Sequence, residues 1–240
     1  MDAGSGKQTL APLLRKIGRI AAVPHEERRA LQSIGGHLVR VAKGVALPVP
    51  STDAAAVIVV IAGLVGEVRQ FRDGRRQILA IHVPGDTLCT GPSASSVDPM
   101  FPLVALSDCG VLMLDAANVG SECPSIAAAL AAFERIRGRL MREWLIDAGR
   151  RSAREAVAHR ICEFHARFRL SGLIDGNRFA LPLSQTDLAD ALALTIVTVN
   201  RILMSLRQEN LAVFRQREID ILDPKGLRAV CRFDDRYLRP

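Results

Sequence analysis

The chain has 240 residues, 49% of them apolar, which is long enough for two domains with separate cores and excludes a disordered tail. Its formal charge of +7, supplied almost entirely by arginine, favours an anionic partner such as nucleic acid or a membrane surface. Five irregularly spaced cysteines exclude a disulfide framework, and the longest apolar run, Ala54 to Leu64, is too short to cross a bilayer. The first residues lack the apolar core of a signal peptide, so a cytoplasmic protein without a membrane partner is expected.

The segment Gly4-Ser-Gly6-Lys7-Gln8-Thr9 has the tail of a phosphate-binding loop. It lacks the preceding strand and the Ser or Thr directly after the lysine, so a frayed terminus is expected there. Leu10 to Ile34 reads as two short helices, the second opened by Pro24. From Leu38 to Leu114 the pattern changes to strands: Val57–Ile61, Leu64–Phe71, Gln77–Val83, Leu103–Leu106 and Val111–Leu114. Asp73-Gly74 and Gly85-Asp86 mark turns between them.

Pro124 to Asp147 is a long helix whose apolar residues Ile126, Ala129, Phe133, Ile136 and Leu140 recur three and four apart. That stripe can bury against the strand domain, against another chain, or both. Gly149 is expected as the residue that ends the helix and Ser152 as the next N-cap, with a hinge between domains here. One helix then runs from Ser152 to Leu170.

Ser184 is an N-cap followed by Gln185 and Thr186, then by Leu188, Ala191 and Leu192 at helical spacing. After a short turn Thr195 caps a second helix with Val199, Ile202, Leu203 and Leu206 on one face. Two short helices around a tight turn have the form of a helix-turn-helix. The alternating stretch Leu211 to Ile221, with Arg215 and Arg217, follows as a basic β-hairpin, or wing.

The strings SQTDLADALALTIVTVNR (184–201) and LMSLRQENL (203–211) resemble the C-terminal domain of the Crp/Fnr transcriptional regulators. Gly74-Arg-Arg-Gln-Ile-Leu79, Pro84-Gly-Asp86, the Met141–Leu145 stretch and Phe233 to Leu238 extend the resemblance over most of the chain. It implies an α+β protein. Residues 1–120 would form a β-roll sensor-like domain, 121–149 a dimerisation helix and hinge, and 150–240 a winged helix-turn-helix. The implied function is sequence-specific DNA binding at a two-fold site by a homodimer, with RNA polymerase as a further partner.

A recognition helix presents its N-terminal half to base edges, which singles out Thr195, Val197, Thr198, Asn200 and Arg201. Arg pairs guanine and Asn pairs adenine in the major groove, while Val197 and the Thr198 methyl suit a thymine methyl. Ser184, Gln185 and Thr186 open a helix whose amides suit backbone phosphate, and Arg215 and Arg217 are phosphate neutralisers in the wing. Two departures from the family pattern stand out: Ala193 and Gln216 occupy turn positions where glycine is usual.

Cyclic-nucleotide members of the family hold the cyclic phosphate with an Arg after the Pro-Gly-Asp turn. Here no Lys or Arg occurs from Gln77 to Glu134, and a buried phosphate without a cation is strongly disfavoured. Iron–sulfur members use clustered N-terminal cysteines, whereas the first cysteine here is Cys89. Cys89 in a Gly/Ser-rich loop is either redox-reactive or an inert half-buried thiol. His159, Cys162 and His165 share a helix, but no fourth metal ligand accompanies them, so packing is the expected role. No cofactor is expected. No Gly-x-Ser-x-Gly, His-Glu-x-x-His or complete phosphate loop suggests an enzyme. The alternative is an interaction module that keeps the fold and has lost DNA binding.

Overall fold

The computed structural model describes residues 10–49, 55–90, 98 and 100–239. The phosphate-loop-like Gly4–Thr9 and most of the stretch after the Pro84-Gly-Asp86 turn lie outside the described residues. Among the described residues two short helices come first, α1 (Ala11–Ile17) and α2 (His25–Ser33), opened by prolines at Pro12 and Pro24. Seven strands follow among them: β1 (Gly36–Val41), β2 (Ala56–Ala62), β3 (Val65–Gln70), β4 (Arg76–His82), β5 (Thr87–Cys89), β6 (Leu103–Ala105) and β7 (Cys109–Asp115).

The strands make two antiparallel sheets, ordered β1-β7-β2-β5 and β4-β3-β6. Ile58, Val60, Val65, Leu88, Leu103 and Val111 fill the space between them. β2 is apolar throughout because both of its faces are buried: Ile58 and Val60 face the other sheet, while Val57 and Val59 pack with Leu13, Ile17 and Phe133 from the helices. The β3–β4 hairpin turns at Gly74, whose φ of 85° glycine adopts without strain.

After α3 (Ala116–Glu122), the long helix α4 spans Pro124–Gly149. Its N-terminus has no side-chain cap of its own, and Glu27 from α2 supplies one. That buried carboxylate accepts from the backbone N–H groups of Ser125 (2.9 Å) and Ile126 (3.2 Å). Ile126, Ala129, Phe133 and Ile136 bury against the β-domain's own helices and sheet. Gly149 is helical and not the left-handed terminator expected of it. The helix stops because Arg150 and Arg151 both return their N–H groups to the Ile146 carbonyl, and the Arg151 side chain reaches back to Glu143 and Asp147.

Ser152 then caps α5 (Ala153–Leu170) in a reciprocal capping box with Glu155. The remaining elements are β8 (Arg178–Ala180), α6 (Gln185–Leu192), α7 (Ile196–Gln208), β9 (Ala212–Arg215), β10 (Glu218–Ile221), α8 (Pro224–Cys231) and a 3-10 turn at Asp235–Leu238. β8 joins the wing as a third strand, in the order β8-β10-β9. The apolar core of this half, including Phe164, Phe179, Leu188, Val199 and Leu206, runs without a break into Leu64, Val68, Ile78 and Ile81 of the second sheet.

Charged residues are built into that junction. Arg160 and Glu163 of α5 are fully buried; Arg160 pairs with Asp147 (2.6 Å) and Glu163 (3.2 Å) and stacks 3.4 Å from the centre of the Trp144 ring. Arg167 bonds Asp86 (2.5 Å) and the Ile81 carbonyl (2.7 Å), tying α5 to the β-domain.

Candidate nucleic-acid interface

The local chemistry of residues 184–208 sets the geometry. The Ser184 hydroxyl accepts from the Asp187 N–H (3.0 Å) and the Asp187 carboxylate accepts from the Ser184 N–H (2.9 Å), starting α6. Ala193 ends α6 in the left-handed region (φ 54°, ψ 38°), and the chain turns by 106° into α7. Thr195 caps α7 by accepting from the Thr198 N–H at 3.1 Å, and the two hydroxyls lie 2.9 Å apart.

α7 is divided lengthwise. Val199, Ile202, Leu203 and Leu206 are buried against α5 and α6. Ile196, Val197, Asn200, Arg201, Met204, Ser205 and Gln208 form the outward face, with Val197 79% exposed. Asn200 donates its amide to the Gln185 Oε1 at 3.0 Å, so the start of α6 and the middle of α7 share one surface. Arg201 is exposed and has no carboxylate within 4 Å among the described residues. Met204 and Gln208 extend this surface beyond the residues singled out from sequence, and their spacing of three and four from Arg201 and Met204 is the signal that identifies them.

The far end of α7 is anchored by a contact that sequence spacing does not reveal. Arg154 of α5 forms a two-point pair with Glu209, 55 positions away, at 2.7 and 2.5 Å. Ser205 adds a hydrogen bond to the same carboxylate.

The wing differs from continuous alternation. Arg215 closes β9, but Gln216 (φ 53°) and Arg217 (φ 61°) are the two residues of a tight turn, both left-handed. Arg215 and Arg217 are exposed, and the Arg217 carbonyl accepts from the Leu181 N–H at 2.7 Å, which fixes the turn beside the segment entering α6. Ser184, Gln185, Thr195, Thr198 and Asn200 are thus bonded in pairs or within one turn. Thr186, Val197 and Arg201 stand exposed among them, and Arg215 and Arg217 sit on the separate hairpin.

The β-domain presents a different chemistry. A cavity of about 40 Å³, room for a water or two, lies between β4 and α4. Its cations are already paired: Lys16 and Arg167 with Asp86, and Arg137 with Glu67 and Glu134. Burial pushes the Cys89 thiol up to about 11, the charge of Glu134 adding to it, which favours the inert reading of that residue. Among the described residues no group of three or more His, Cys, Asp or Glu is arranged to hold a metal ion. None of their single helices is long and apolar enough to cross a membrane.

A helix-turn-helix with an uncovered second helix and an adjoining wing, joined through a long helix to a β-roll, defines a DNA-binding transcription regulator. Residues 155–230 match the Crp-like helix-turn-helix domain. Over 174 residues the chain is 33% identical to nitrogen fixation regulation protein FixK of Rhizobium meliloti, covering 69% of this chain and 75% of that one. It is 28% identical to transcriptional activatory protein AadR of Rhodopseudomonas palustris over 214 residues, covering 89% and 87%. The solved structure of FixK2 from Bradyrhizobium japonicum superposes with a TM-score of 0.65 at 25% identity, over 82% of this chain and 98% of that one. The chain belongs to the Crp/Fnr family of transcriptional regulators.

Proposed function

We propose that the protein binds a two-fold DNA site as a homodimer through the outward face of α7, and that it does so without a cyclic-nucleotide or iron–sulfur effector. The observation that carries this reading is the uncovered α7 face, where Val197, Asn200 and Arg201 project from a helix whose inner face is buried and whose far end is paired to α5 through Arg154 and Glu209. In the major groove Arg201 reads guanine, Asn200 reads adenine, and Val197 and Thr198 meet thymine methyl groups, with Thr195 at the helix entrance. Ser184, Gln185 and Thr186 set the N-terminus of α6 against backbone phosphate, and Arg215 and Arg217 add phosphate contacts from the wing. The hydrogen bond from Asn200 to Gln185 ties base reading to phosphate positioning, since a shift of one side chain releases the other.

Homodimerisation is supported by a second stripe on α4. Ala127, Ala131, Glu134, Gly138, Met141, Leu145 and Ala148 alternate four and three apart, which is heptad spacing. This stripe is separate from the one buried within the chain, and Leu145 is 73% exposed on it. A second copy of α4 packed there places two α7 helices about a two-fold axis. We assign residues 1–120 to the β-roll, 121–149 to the dimer helix and hinge, and 150–240 to the DNA-binding unit. RNA polymerase is the further partner of such a regulator, acting in the cytoplasm. The paired cations and small cavity between β4 and α4 support the absence of a cyclic-nucleotide site there.

The test is selection of bound fragments from genomic DNA by the purified protein beside Arg201→Ala. Enrichment of a two-fold site with half-sites about one helical turn apart, weakened by about 1–3 kcal/mol in the variant, is expected. Enrichment that survives unchanged would reduce Arg201 to a phosphate contact. No enrichment at moderate salt would favour an interaction module that has lost DNA binding.

A further inference from the structure

Two cysteines meet in the core of the DNA-binding half. Cys162 lies in the middle of α5 and Cys231 ends α8, 69 positions later, yet their sulfurs stand 4.0 Å apart. Both are buried free thiols. Cys231 also donates to the Leu227 carbonyl at 3.4 Å, one turn earlier in α8. Beside the pair a cavity of about 400 Å³ opens between α5, α8 and the 3-10 turn, with Cys162, His165, Leu227 and Arg228 in its wall. It admits a molecule much larger than a peroxide to the edge of the sulfur pair.

We propose that Cys162 and Cys231 are a modification site for peroxide, closing to a reversible intramolecular disulfide that clasps the winged helix-turn-helix. The sulfurs must approach from 4.0 Å to about 2.0 Å to close the bond. Cys162 lines the cavity and Cys231 stands 4.0 Å behind it, so an oxygen taken up by one sulfur lies within reach of the other.

One of the two sulfurs, as its thiolate, attacks one oxygen of hydrogen peroxide. A sulfur–oxygen bond forms, the oxygen–oxygen bond breaks, and hydroxide leaves with a proton from solvent as water. The other cysteine then attacks that sulfur. The sulfur–sulfur bond forms, the sulfur–oxygen bond breaks, and the departing hydroxide takes the second thiol's proton as a second water. Two thiols have lost two electrons and peroxide has gained them. A small dithiol reverses the reaction by exchange. Because α6, the turn, α7 and the wing all lie between the two cysteines in sequence, the bond closes the whole DNA-binding motif in one covalent loop.

The test uses the full chain, reduced, freed of reductant, treated with hydrogen peroxide, then unfolded and alkylated before digestion and mass spectrometry. Peptides carrying Cys162 and Cys231 should appear linked and two hydrogens lighter, and should separate after dithiothreitol. Unfolding of the oxidised protein should move up by roughly 5–15 °C and return on reduction. Cys231→Ser should abolish the linked peptide and Cys89→Ser should retain it. Recovery of Cys162 and Cys231 fully alkylated at peroxide doses that oxidise Cys89 overturns the proposal, as does a linkage found only between two chains. The wild-type measurement decides even where Cys231→Ser fails to fold.

Discussion

At the turn between α6 and α7, Ala193 holds a φ of 54°, where its Cβ crowds the following carbonyl at a cost of about 1 kcal/mol. The turn persists because the Leu194 N–H closes on the Ala189 carbonyl and both flanking helices are buried on their inner faces. Glycine relieves the strain but enlarges the freedom of the unfolded chain, so the two effects partly cancel. Ala193→Gly is expected to stabilise by about 0.5 kcal/mol, raising the melting temperature by about 1–3 °C. A lower melting temperature would mean that the turn carries no strain. A second residue sets the response to acid. Burial opposes the charge of Asp147, yet the His159 ring 3.2 Å away, the charge of Arg160 and a hydrogen bond from Arg151 hold its carboxyl below the ordinary value of 3.8. In the unfolded chain the same group takes up its proton at the ordinary value. Its contribution to stability is therefore complete above that value and is lost as pH falls toward the folded one. Asp147→Asn should be less stable at pH 7 by about 1–3 kcal/mol, since buried Arg160 loses one of its two carboxylate partners and keeps Glu163. Its melting temperature should also fall less steeply than the wild type's below pH 4 in a calorimetric series.

Among the elements, α4 shows why one helix carries two stripes. Burial of Ile126, Ala129, Phe133 and Ile136 against the β-domain uses one face, and the heptad positions from Ala127 to Ala148 lie on another. Leu145→Glu places a charge on the outer stripe alone. It should leave the circular dichroism of the monomer unchanged while shifting the sedimentation coefficient from dimer to monomer. A variant that sediments as a dimer would move the interface elsewhere. The inner stripe was legible from sequence because small and large apolar residues recur along it. The outer one was not, because Glu134 and Gly138 interrupt its apolar character. The helix-turn-helix was legible for a related reason: Ser184, Thr195 and the apolar spacing of α7 act within a few residues of one another. β5 and β8 have three residues each, too few for alternation to register, and most of β1 is exposed at a sheet edge. In α3 only Val119 is buried, which leaves no periodic face to read. The Glu27 cap on α4 and the Arg154–Glu209 anchor depend on residues 55 or more positions apart, and Arg160 and Glu163 look like surface charges until their partners are placed.

Across the whole molecule, the β-domain grips the DNA-binding half through charges as well as through the shared apolar core. Arg76 of β4 reaches Asp187 (2.7 Å) and Asp190 (2.8 Å), both on α6, and Lys43 stands 3.5 Å from Asp187. Arg15 bonds the Gly172 carbonyl after α5, and Arg167 reaches Asp86 in the opposite direction. Of these links, Arg76 reaches two carboxylates of the helix that opens the helix-turn-helix and Lys43 one, so Arg76 couples the orientation of that motif to the β3–β4 hairpin. Its two carboxylates differ in what they retain when it is removed. Asp187 keeps its capping bonds to Ser184 and the nearby Lys43, so α6 remains a helix. Asp190, more exposed, turns to water. Arg76→Ala should therefore release the contact without unfolding α6, costing about 1–2 kcal/mol for a half-buried two-point pair. Hydrogen exchange should quicken in α6 and in the β3–β4 hairpin, while α8, on the other side of the domain core, exchanges as before. Equal protection of α6 in variant and wild type would show that the apolar junction through Ile78 and Leu188 holds the two halves by itself, and that Arg76 adds nothing to their orientation.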